Sequence, residues 1–197
     1  MRSSDDRSRG IRIVGGTHRG RHLAVPAGEA VRPTSDRARE ALFNILSHGS
    51  FAANGSPFAG QNVLDAFAGT GAFGLEALSR GARNAAFIEN NREALVALRR
   101  NVVALEEDDW AQVVTGDATR PPRAPFACAV AFLDPPYNSG AADAALPALA
   151  GAGWFASDAL VIVEVAARET FEVPAGFTRI DERVYGAARL VFLRYEG

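Results

Sequence analysis

The sequence predicts an α/β fold with a mainly parallel sheet that is covered by helices on both faces. From residue 61 onward, apolar runs of strand length alternate with segments of helical spacing, and this alternation is typical of parallel sheets. Two runs near the end, joined at residues 185–187, predict an antiparallel hairpin at the sheet edge. The chain has 197 residues and is 48% hydrophobic, which suits one globular domain.

The predicted strands and helices follow one another in order along the chain. Strands are predicted over NVLDAF, NAAFIE, AQVVTG, ACAVAFLD and ALVIVEVA, followed by two in the tail TRIDERVYGAARLVFLRY. Helices are predicted over AFGLEALSRG, NREALVALRRNVVAL and GAADAALPALAGAG, the last with a break at Pro147. A sheet of seven strands is therefore expected.

The first 48 residues differ from the rest of the chain. Residues 1–10 are polar and predict a disordered tail, whereas residues 11–48 predict a small extension of two short strands, IRIVGG and RGRHLAVP, and a helix. Residues 49–197 form the main domain. Residues 1–40 hold nine arginines against five acidic residues, and residues 41–197 hold twelve against eighteen. This asymmetry predicts a polyanion contact at the N-terminal end.

Several classes of protein are disfavoured by composition. No apolar run approaches the roughly 18 residues that a membrane-spanning helix needs, and the start MRSSDDRSRG does not resemble a signal peptide. The single cysteine, Cys128, has no partner for an internal disulfide, so we expect a cytoplasmic protein. No His/Cys cluster predicts a metal site, and no Ser-His-Asp set predicts hydrolysis.

A glycine-rich loop between the first main-domain strand and the following helix is typical of nucleotide cofactor sites. The segment LDAFAGTGAFG carries G-x-G-x-x-G at Gly69, Gly71 and Gly74, and glycines let a ligand approach the backbone closely. Glu89 ends the next strand, 20 residues after Gly69, where it could accept hydrogen bonds from ribose hydroxyls. A tight turn with a solvated carboxylate is the alternative interpretation.

The residues before the glycines distinguish between two possible cofactors, NAD and S-adenosylmethionine. In a dehydrogenase the glycine run begins at the strand end and the pyrophosphate lies at the helix N-terminus, but here residues 65–68 intervene. The Asp65 carboxylate would repel a pyrophosphate, yet it suits S-adenosylmethionine, which carries a sulfonium and an ammonium group. Asp117, at the end of the third strand, could bind an adenine amine or be an ordinary surface acid. The candidate cofactor-binding residues are Asp65, Ala66, Phe67, Gly69, Thr70, Gly71, Glu89, Asn90, Asp117 and Ala118.

The segment FLDPPY places a carboxylate at the end of the fourth strand, before two prolines that stiffen the backbone. Ligands of open α/β sheets bind at the carboxyl ends of strands, so Asp134 is expected to face the cofactor. Hydrogen bonds from an exocyclic base amine to the Asp134 carboxylate and the Pro135 carbonyl would orient that weak nucleophile, while Tyr137 stacks on the base. The candidate catalytic residues are Asp134, Pro135, Pro136 and Tyr137. A proline turn beside a core tyrosine is the structural alternative.

Together these motifs resemble the Rossmann-fold amino-methyltransferases, and more closely the RsmD-type ribosomal RNA guanine-N2 methyltransferases. The blocks RIVGGTHRGRHL, VRPTSDRAREALFNIL, LDAFAGTGAFGLEALSRGA and FLDPPY follow that family's order over residues 11–137, and the first two are the discriminating ones. The resemblance implies a Rossmann-like methyltransferase fold and a bacterial enzyme that methylates N2 of one guanine in small-subunit (16S) ribosomal RNA. Asn91 departs from the pattern, because family members often have an acid there, and altered ribose contacts are expected.

The resemblance also implies that the basic extension holds RNA. The residues expected to contact or approach ribosomal RNA are Arg12, Arg19, Arg21, Arg32, Arg37 and Arg39. His18 and His22 could assist, although ordinary surface histidines are the more typical interpretation. The expected partner is ribosomal RNA within an assembling small subunit, and we expect the enzyme to act as a monomer away from membranes.

Three other functions share part of this pattern. DNA adenine or cytosine amino-methyltransferases share D-P-P-Y, but this chain lacks room for the large target-recognition domain that they often carry. Protein-glutamine methyltransferases usually have Asn in place of Asp134. A non-catalytic RNA-binding assembly factor could use the cofactor as a ligand, although an intact D-P-P-Y favours an enzyme.

Overall fold

The computed structural model describes residues 11–26, 33–53 and 55–197 and confirms the predicted α/β fold. The described residues form seven strands, β1 (Asn62–Ala66), β2 (Asn84–Glu89), β3 (Ala111–Thr115), β4 (Cys128–Leu133), β5 (Phe155–Ala166), β6 (Phe177–Tyr185) and β7 (Ala188–Tyr195). They also form four α-helices, α1 (Pro33–Leu46), α2 (Ala72–Ser79), α3 (Arg92–Ala104) and α4 (Ala141–Gly151), and a short 3-10 helix, Gly49–Ala52.

The strands of the described chain form one sheet in the order β3-β2-β1-β4-β5-β7-β6. Strands β1 to β5 pair in parallel, whereas β7 pairs antiparallel with both β5 and β6. The predicted C-terminal edge hairpin is therefore confirmed. The strand order reverses between β1 and β4, and in open sheets such a reversal leaves a ligand-binding crevice at the carboxyl ends of the two strands.

Two hydrophobic clusters cover the two faces of the sheet. One cluster packs Leu75 of α2, Leu98 of α3 and Phe43 of α1 against the strands. The other cluster surrounds Trp154, which lies next to α4. The indole N–H of Trp154 donates to the Pro122 carbonyl at 2.9 Å. Because both faces are covered, the central strands are almost continuously apolar, and a polar side chain within them is conspicuous.

Residues 11–24 fold back on themselves as the predicted hairpin, although its pairing is shorter than the two predicted strands. A bridge joins Arg12 to His22, and the Ile13 amide donates to the Arg21 carbonyl at 3.0 Å. The turn between them also bonds to the end of α2, because the amides of Thr17 and His18 donate to the Ser79 carbonyl and hydroxyl at 2.8 and 2.9 Å. Backbone pairing and contacts with α2 together hold the hairpin in place.

Buried polar side chains on α2 and α3 anchor this folded-back segment. The Glu76 carboxylate, which is fully buried, accepts from the Val14 amide at 2.7 Å. Asn101 accepts from the Ala24 amide at 2.7 Å and donates to the carbonyls of Ala24 and Thr70, each at 3.0 Å. The segment is thus built into the main core, and Asn101 connects it to the glycine loop.

Helix α4 continues through Pro147 without the predicted break. A proline removes one backbone donor and crowds the carbonyl four residues earlier. However, Ala145, Leu146 and Leu149 are buried on either side of it, and this packing holds the helix together. The predicted break is wrong, because tertiary packing outweighs the local preference.

Some expectations fall outside the described residues. The predicted tail of residues 1–10 and the side chains of Arg32 and Arg37 belong to this group, although α1 includes position 37. Within the described part of the chain, no helix combines the length and apolar character that crossing a membrane requires.

Candidate active site

The carboxyl ends of β1, β2, β4 and β5 surround two adjoining cavities. The larger has a volume of about 600 Å³ and is lined by Phe67, Glu89, Asn90, Asn91, Asp134, Pro135, Pro136, Tyr137 and Glu164. The smaller has a volume of about 230 Å³, and its lining includes Asp65, Gly69, Thr70 and Arg39. Phe67, Asp134 and Glu164 line both cavities. The structure therefore brings the glycine loop and the D-P-P-Y segment to one crevice.

The three glycines of the loop have different surroundings. A Cβ on Gly71 would lie 2.3 Å from Leu98 Cδ1, and one on Gly74 would lie 2.3 Å from Phe87 Cε1. These two positions therefore allow the loop and α2 to pack closely against the sheet and α3. At Gly69, which has a φ of +54°, a Cβ would meet no described atom within 4 Å, so this part of the loop is open to a ligand.

The Glu89 carboxylate holds together the loops that follow β1 and β2. Its Oε2 accepts from the Gly69 amide at 2.7 Å, and its Oε1 accepts from the amides of Asn90 and Asn91 at 2.9 and 2.7 Å. The side chain is 8% exposed and lines the larger cavity. The predicted ribose contact stays a prediction, but the carboxylate has a structural role that the sequence did not indicate.

Asp65 lies beneath the glycine loop. Its Oδ2 accepts from the Gly74 amide at 2.9 Å, and the side chain is only 3% exposed. Burial raises the pKa of Asp65 to about 8, the Gly74 hydrogen bond opposes this shift, and the nearby Glu89 adds to it. The carboxyl therefore supports the start of α2 as well as lining the smaller cavity.

Four of the candidate cofactor residues line neither cavity, although all of them are described. They are Ala66, Gly71, Asp117 and Ala118. The Asp117 carboxylate accepts from the amide and hydroxyl of Thr119, both at 2.8 Å. The backbone hydrogen bond from Thr119 is the main cause of its lowered pKa. Asp117 thus organises the turn after β3, and its contact with an adenine amine stays a prediction.

Asn91, the departure from the family pattern, caps helix α3. Its Oδ1 accepts from the amides of Glu93 and Ala94, both at 2.9 Å. Asparagine and aspartate cap helices about equally well, so the substitution preserves the helix start. The side chain borders the larger cavity with an amide in place of an acid, which removes one negative charge there.

The D-P-P-Y segment follows β4 directly and crosses the crevice. Asp134 is exposed, whereas Pro135 is buried, and the Asp134 amide lies 3.4 Å from the Ala66 carbonyl of β1. The Tyr137 hydroxyl donates to Glu164 Oε1 at 2.7 Å. These contacts fix the segment at both ends, with the Asp134 carboxylate directed to the cavities.

Glu164 is a site residue that sequence reasoning missed. It lies within β5, is 4% exposed and lines both cavities. The predicted site consists of acids at strand ends, whereas Glu164 lies two residues before the end of a strand that extends to pair with β7. The available signal was a single acid inside the apolar run VIVEVA, which a strand buried on both faces does not favour.

The predicted RNA-binding arginines that the structure describes lie in three places. Arg12 and Arg19 are exposed and line a cleft of about 290 Å³ beside α1 and α2. Arg39 lines the smaller cavity and donates to the Arg12 carbonyl at 3.3 Å, whereas Arg21 donates to the Ala104 carbonyl at the end of α3.

The two histidines of this region differ in their contacts. His18 lies 2.6 Å from the Glu107 carboxylate, so it contributes to the anchor of the folded-back segment, whereas His22 is exposed. Among the described residues, no group of His, Cys, Asp and Glu has the arrangement of a metal site.

A family model described as "Conserved hypothetical protein 95" matches residues 11–194 of the chain. The ribosomal RNA small subunit methyltransferase D of Escherichia coli K12 is 38% identical over 183 residues, which cover 89% of this chain and 85% of the relative. The Haemophilus influenzae protein of the same name is 34% identical, with 89% of each chain covered.

Two solved structures are also similar to this chain over almost its whole length. An Escherichia coli protein assigned as a methyltransferase is 37% identical, has a TM-score of 0.78 and covers 95% of this chain and 98% of its own. A hypothetical protein of Thermus thermophilus is 31% identical, has a TM-score of 0.69 and covers 95% and 99% of the two chains. The similarity thus extends over both the N-terminal segment and the sheet.

Replacing Asp65 by asparagine should reduce the dependence of stability on pH. The folded chain holds the Asp65 proton more tightly than the unfolded chain, so this carboxyl makes the free energy of unfolding fall as the pH rises from about 4 to about 8. The asparagine side chain cannot titrate and keeps an oxygen for the Gly74 amide. Urea unfolding at pH 5 and pH 8 should therefore show a smaller loss for Asp65→Asn than for the wild type. An equal loss in both proteins would mean that Asp65 titrates normally.

Replacing Glu89 by alanine should weaken binding of S-adenosylhomocysteine roughly ten- to a hundredfold, because hydrogen bonds to a charged group contribute about 1.5–3 kcal/mol. The variant loses the acceptor for the amides that shape the loops as well as the proposed ribose acceptor. Calorimetry would measure the affinity, with Glu93→Ala, an exposed acid at the start of α3, as the matched control. Unchanged affinity in Glu89→Ala would exclude Glu89 from the cofactor site.

Proposed function

The chain belongs to the RsmD-type family of ribosomal RNA methyltransferases, and from this membership we propose that it methylates the exocyclic N2 of a guanine in small-subunit (16S) ribosomal RNA. The proposed methyl donor is S-adenosylmethionine. The observation that carries the proposal is the meeting of two parts of the chain at one crevice, namely the open glycine loop at Gly69 and the D-P-P-Y segment at Asp134.

The D-P-P-Y segment has the features that positioning an amine requires. The N2 lone pair of guanine is delocalised into the ring, so the nitrogen is a weak nucleophile that needs orientation. Asp134 offers an exposed carboxylate, and Pro135 offers a carbonyl whose position the buried ring fixes. The Tyr137 ring stands beside them in the same cavity, held by its bond to Glu164. Catalysis then comes mainly from orientation and electrostatics.

Transfer of the methyl group from the cofactor to guanine N2 does not require a strong base in the protein. The N2 lone pair forms the new bond to the methyl carbon while the carbon–sulfur bond breaks, and the bonding electrons stay on sulfur, giving S-adenosylhomocysteine. The nitrogen becomes acidic as it gains the methyl group, so the exposed Asp134 carboxylate can pass its proton to water.

The residues around the glycine loop suit the proposed cofactor. Its sulfonium supplies an activated methyl group. The Glu89 carboxylate, at the end of β2, lies where a cationic ligand is favoured and a pyrophosphate is not. Asp65 contributes little charge at neutral pH, because burial raises its pKa to about 8. The larger cavity has a volume of about 600 Å³, within the range of small-molecule sites, and it continues towards Asp134.

The N-terminal part, residues 11–48, is proposed as the RNA-binding module of the catalytic domain, residues 49–197. Arg12 and Arg19 expose two cations on one cleft, and Arg39 lies between that cleft and the crevice. Glu40 also lines that cleft, so the exposed arginines themselves, rather than the cleft as a whole, suit a phosphate backbone that approaches the cavity. Anchoring by Glu76 and Asn101 would hold the bound RNA in a fixed position relative to the glycine loop.

The substrate's state of assembly, the oligomeric state of the enzyme and its location in the cell belong to the same proposal. The relatives' names specify small-subunit ribosomal RNA, and we infer that the substrate is this RNA within an assembling subunit, that the enzyme acts as a monomer, and that it works in the cytoplasm. A DNA amino-methyltransferase or a non-catalytic assembly factor would fit D-P-P-Y or the arginines separately. Neither accounts for both together with the named relatives.

The variant Asp134→Ala should lose methyl transfer by at least about a hundredfold while keeping affinity for S-adenosylhomocysteine within a few-fold. Removing a catalytic hydrogen-bond partner typically lowers kcat by that amount, and Asp134 is proposed to contact the target amine. The measurement is transfer of a labelled methyl group to small subunits that lack the modification, followed by digestion and identification of N2-methylguanine. Near wild-type turnover would remove Asp134 from the mechanism. Absence of N2-methylguanine with the wild type would contradict the proposed function itself.

The double variant Arg12→Ala, Arg19→Ala should weaken RNA binding and flatten its salt dependence by about one and a half logarithmic units, because each lost phosphate contact lowers the slope by roughly 0.7–0.9. Cofactor affinity should not change. A matched control is Arg123→Ala, Arg183→Ala, which removes two exposed arginines, one before β4 and one in the opposite edge strand β6. Equal slopes for the two double variants would place the RNA elsewhere.

A further inference from the structure

Glu164 and Asp134 lie side by side at the carboxyl end of the sheet. Strands β4 and β5 pair in parallel, and their last paired residues are Leu133 and Val163. The next position on each strand is an acid, and neighbouring positions of parallel strands project to the same face. Both acids line both cavities. The crevice therefore presents two adjacent carboxylates, of which the proposed mechanism uses only Asp134.

The surroundings of Glu164 leave part of its hydrogen-bonding capacity unused. Its Oε1 accepts from the Tyr137 hydroxyl at 2.7 Å. Among the described residues, no arginine forms an ion pair with it, although the side chain is only 4% exposed. This burial raises the pKa of Glu164, and the Tyr137 hydroxyl opposes the shift. A buried carboxyl without a cation is costly, so its place in the cavity wall calls for a ligand that donates to it.

We propose that the second carboxylate oxygen of Glu164 accepts a hydrogen bond from N1–H of the target base, so that Glu164 selects guanine. This inference rests on the proposed function. In guanine, the N1–H donor and the N2 amine are adjacent on one edge of the base. Two adjacent carboxylates match these two adjacent donors, with Asp134 receiving the N2 amine and Glu164 receiving N1–H.

The same pair of acids rejects the other amino bases. Beside their exocyclic amines, adenine presents N1 and cytosine presents N3, and both of these ring nitrogens are acceptors. Either base would direct a lone pair at the Glu164 carboxylate and leave it without its donor. A site that is built to receive an N–H group discriminates strongly against an analogue that lacks it. Glu164 would therefore separate this enzyme from amino-methyltransferases that act on adenine or cytosine.

The test compares guanine with 2-aminopurine at the position that the wild-type enzyme methylates. 2-Aminopurine keeps the C2 amine, but its N1 is an acceptor. The wild type should favour guanine by at least about a hundredfold in kcat/KM. In Glu164→Gln, the side-chain oxygen still accepts from Tyr137 and the amide can donate to N1 of 2-aminopurine, so the preference should fall at least about tenfold. The missing O6 of 2-aminopurine affects both enzymes and cancels from the comparison.

If Glu164 only positions Tyr137, the base preference of the variant is expected to be different from the one that the proposal predicts. If Glu164 only holds Tyr137, then Glu164→Gln lowers kcat/KM equally for both bases and the preference stays constant, which would overturn the proposal. Tyr137→Phe is the matched control. It removes the donor to Oε1 but keeps the carboxylate, so its preference should stay within about twofold of the wild type. A fall as large as that of Glu164→Gln would assign the selection to the tyrosine.

The wild type provides a test that does not depend on the folding of a variant. If it methylates 2-aminopurine as fast as guanine, N1–H is not recognised and the proposal fails. This result is distinct from failure of the proposed function, in which the wild type forms no N2-methylguanine at all.

Discussion

One carboxylate, that of Glu89, fixes the geometry on which the crevice depends. Loops after parallel strands have backbone amides with no partner in the sheet, and such amides need acceptors. Glu89 accepts three of them, from Gly69 after β1 and from Asn90 and Asn91 after β2. The two loops are thereby joined into one wall of the cavity. The loop so held keeps open space beside Gly69, where an added Cβ would meet no described atom within 4 Å.

The N-terminal segment, which is proposed to bind RNA, is attached to the same framework. Asn101 bonds to both Ala24 and Thr70, so a single buried amide contacts the folded-back segment and the glycine loop. Glu76 holds the other arm of the segment at Val14. A flexible basic tail would attract RNA but would not set its position. Under the proposed function, rigid attachment to the elements that shape the crevice would give a bound RNA a defined distance from the D-P-P-Y segment.

The sequence predicted the order of the strands and helices well, because burial on both faces imposes continuous apolar runs and short turns. It predicted the acids at strand ends for a similar reason, since D-P-P-Y and the glycine loop are local patterns. It failed where contacts distant in sequence decide the structure. It did not indicate that Ser79 of α2 anchors the hairpin of residues 11–24, and α4 tolerates Pro147 because its neighbours are buried. Glu164 was missed because only the pairing of β4 with β5 places it beside Asp134.

The acids of the crevice are made compatible by their different environments. Full ionisation of several carboxylates at one sheet edge would be unfavourable through repulsion. Asp65 avoids part of this cost because burial raises its pKa to about 8, while Asp134 remains exposed to water. The remaining negative charge suits a cationic methyl donor. Under the proposed function, transfer removes the positive charge from sulfur, so the attraction between the crevice and the spent cofactor weakens. The same electrostatic arrangement that favours binding of the donor therefore favours release of the product.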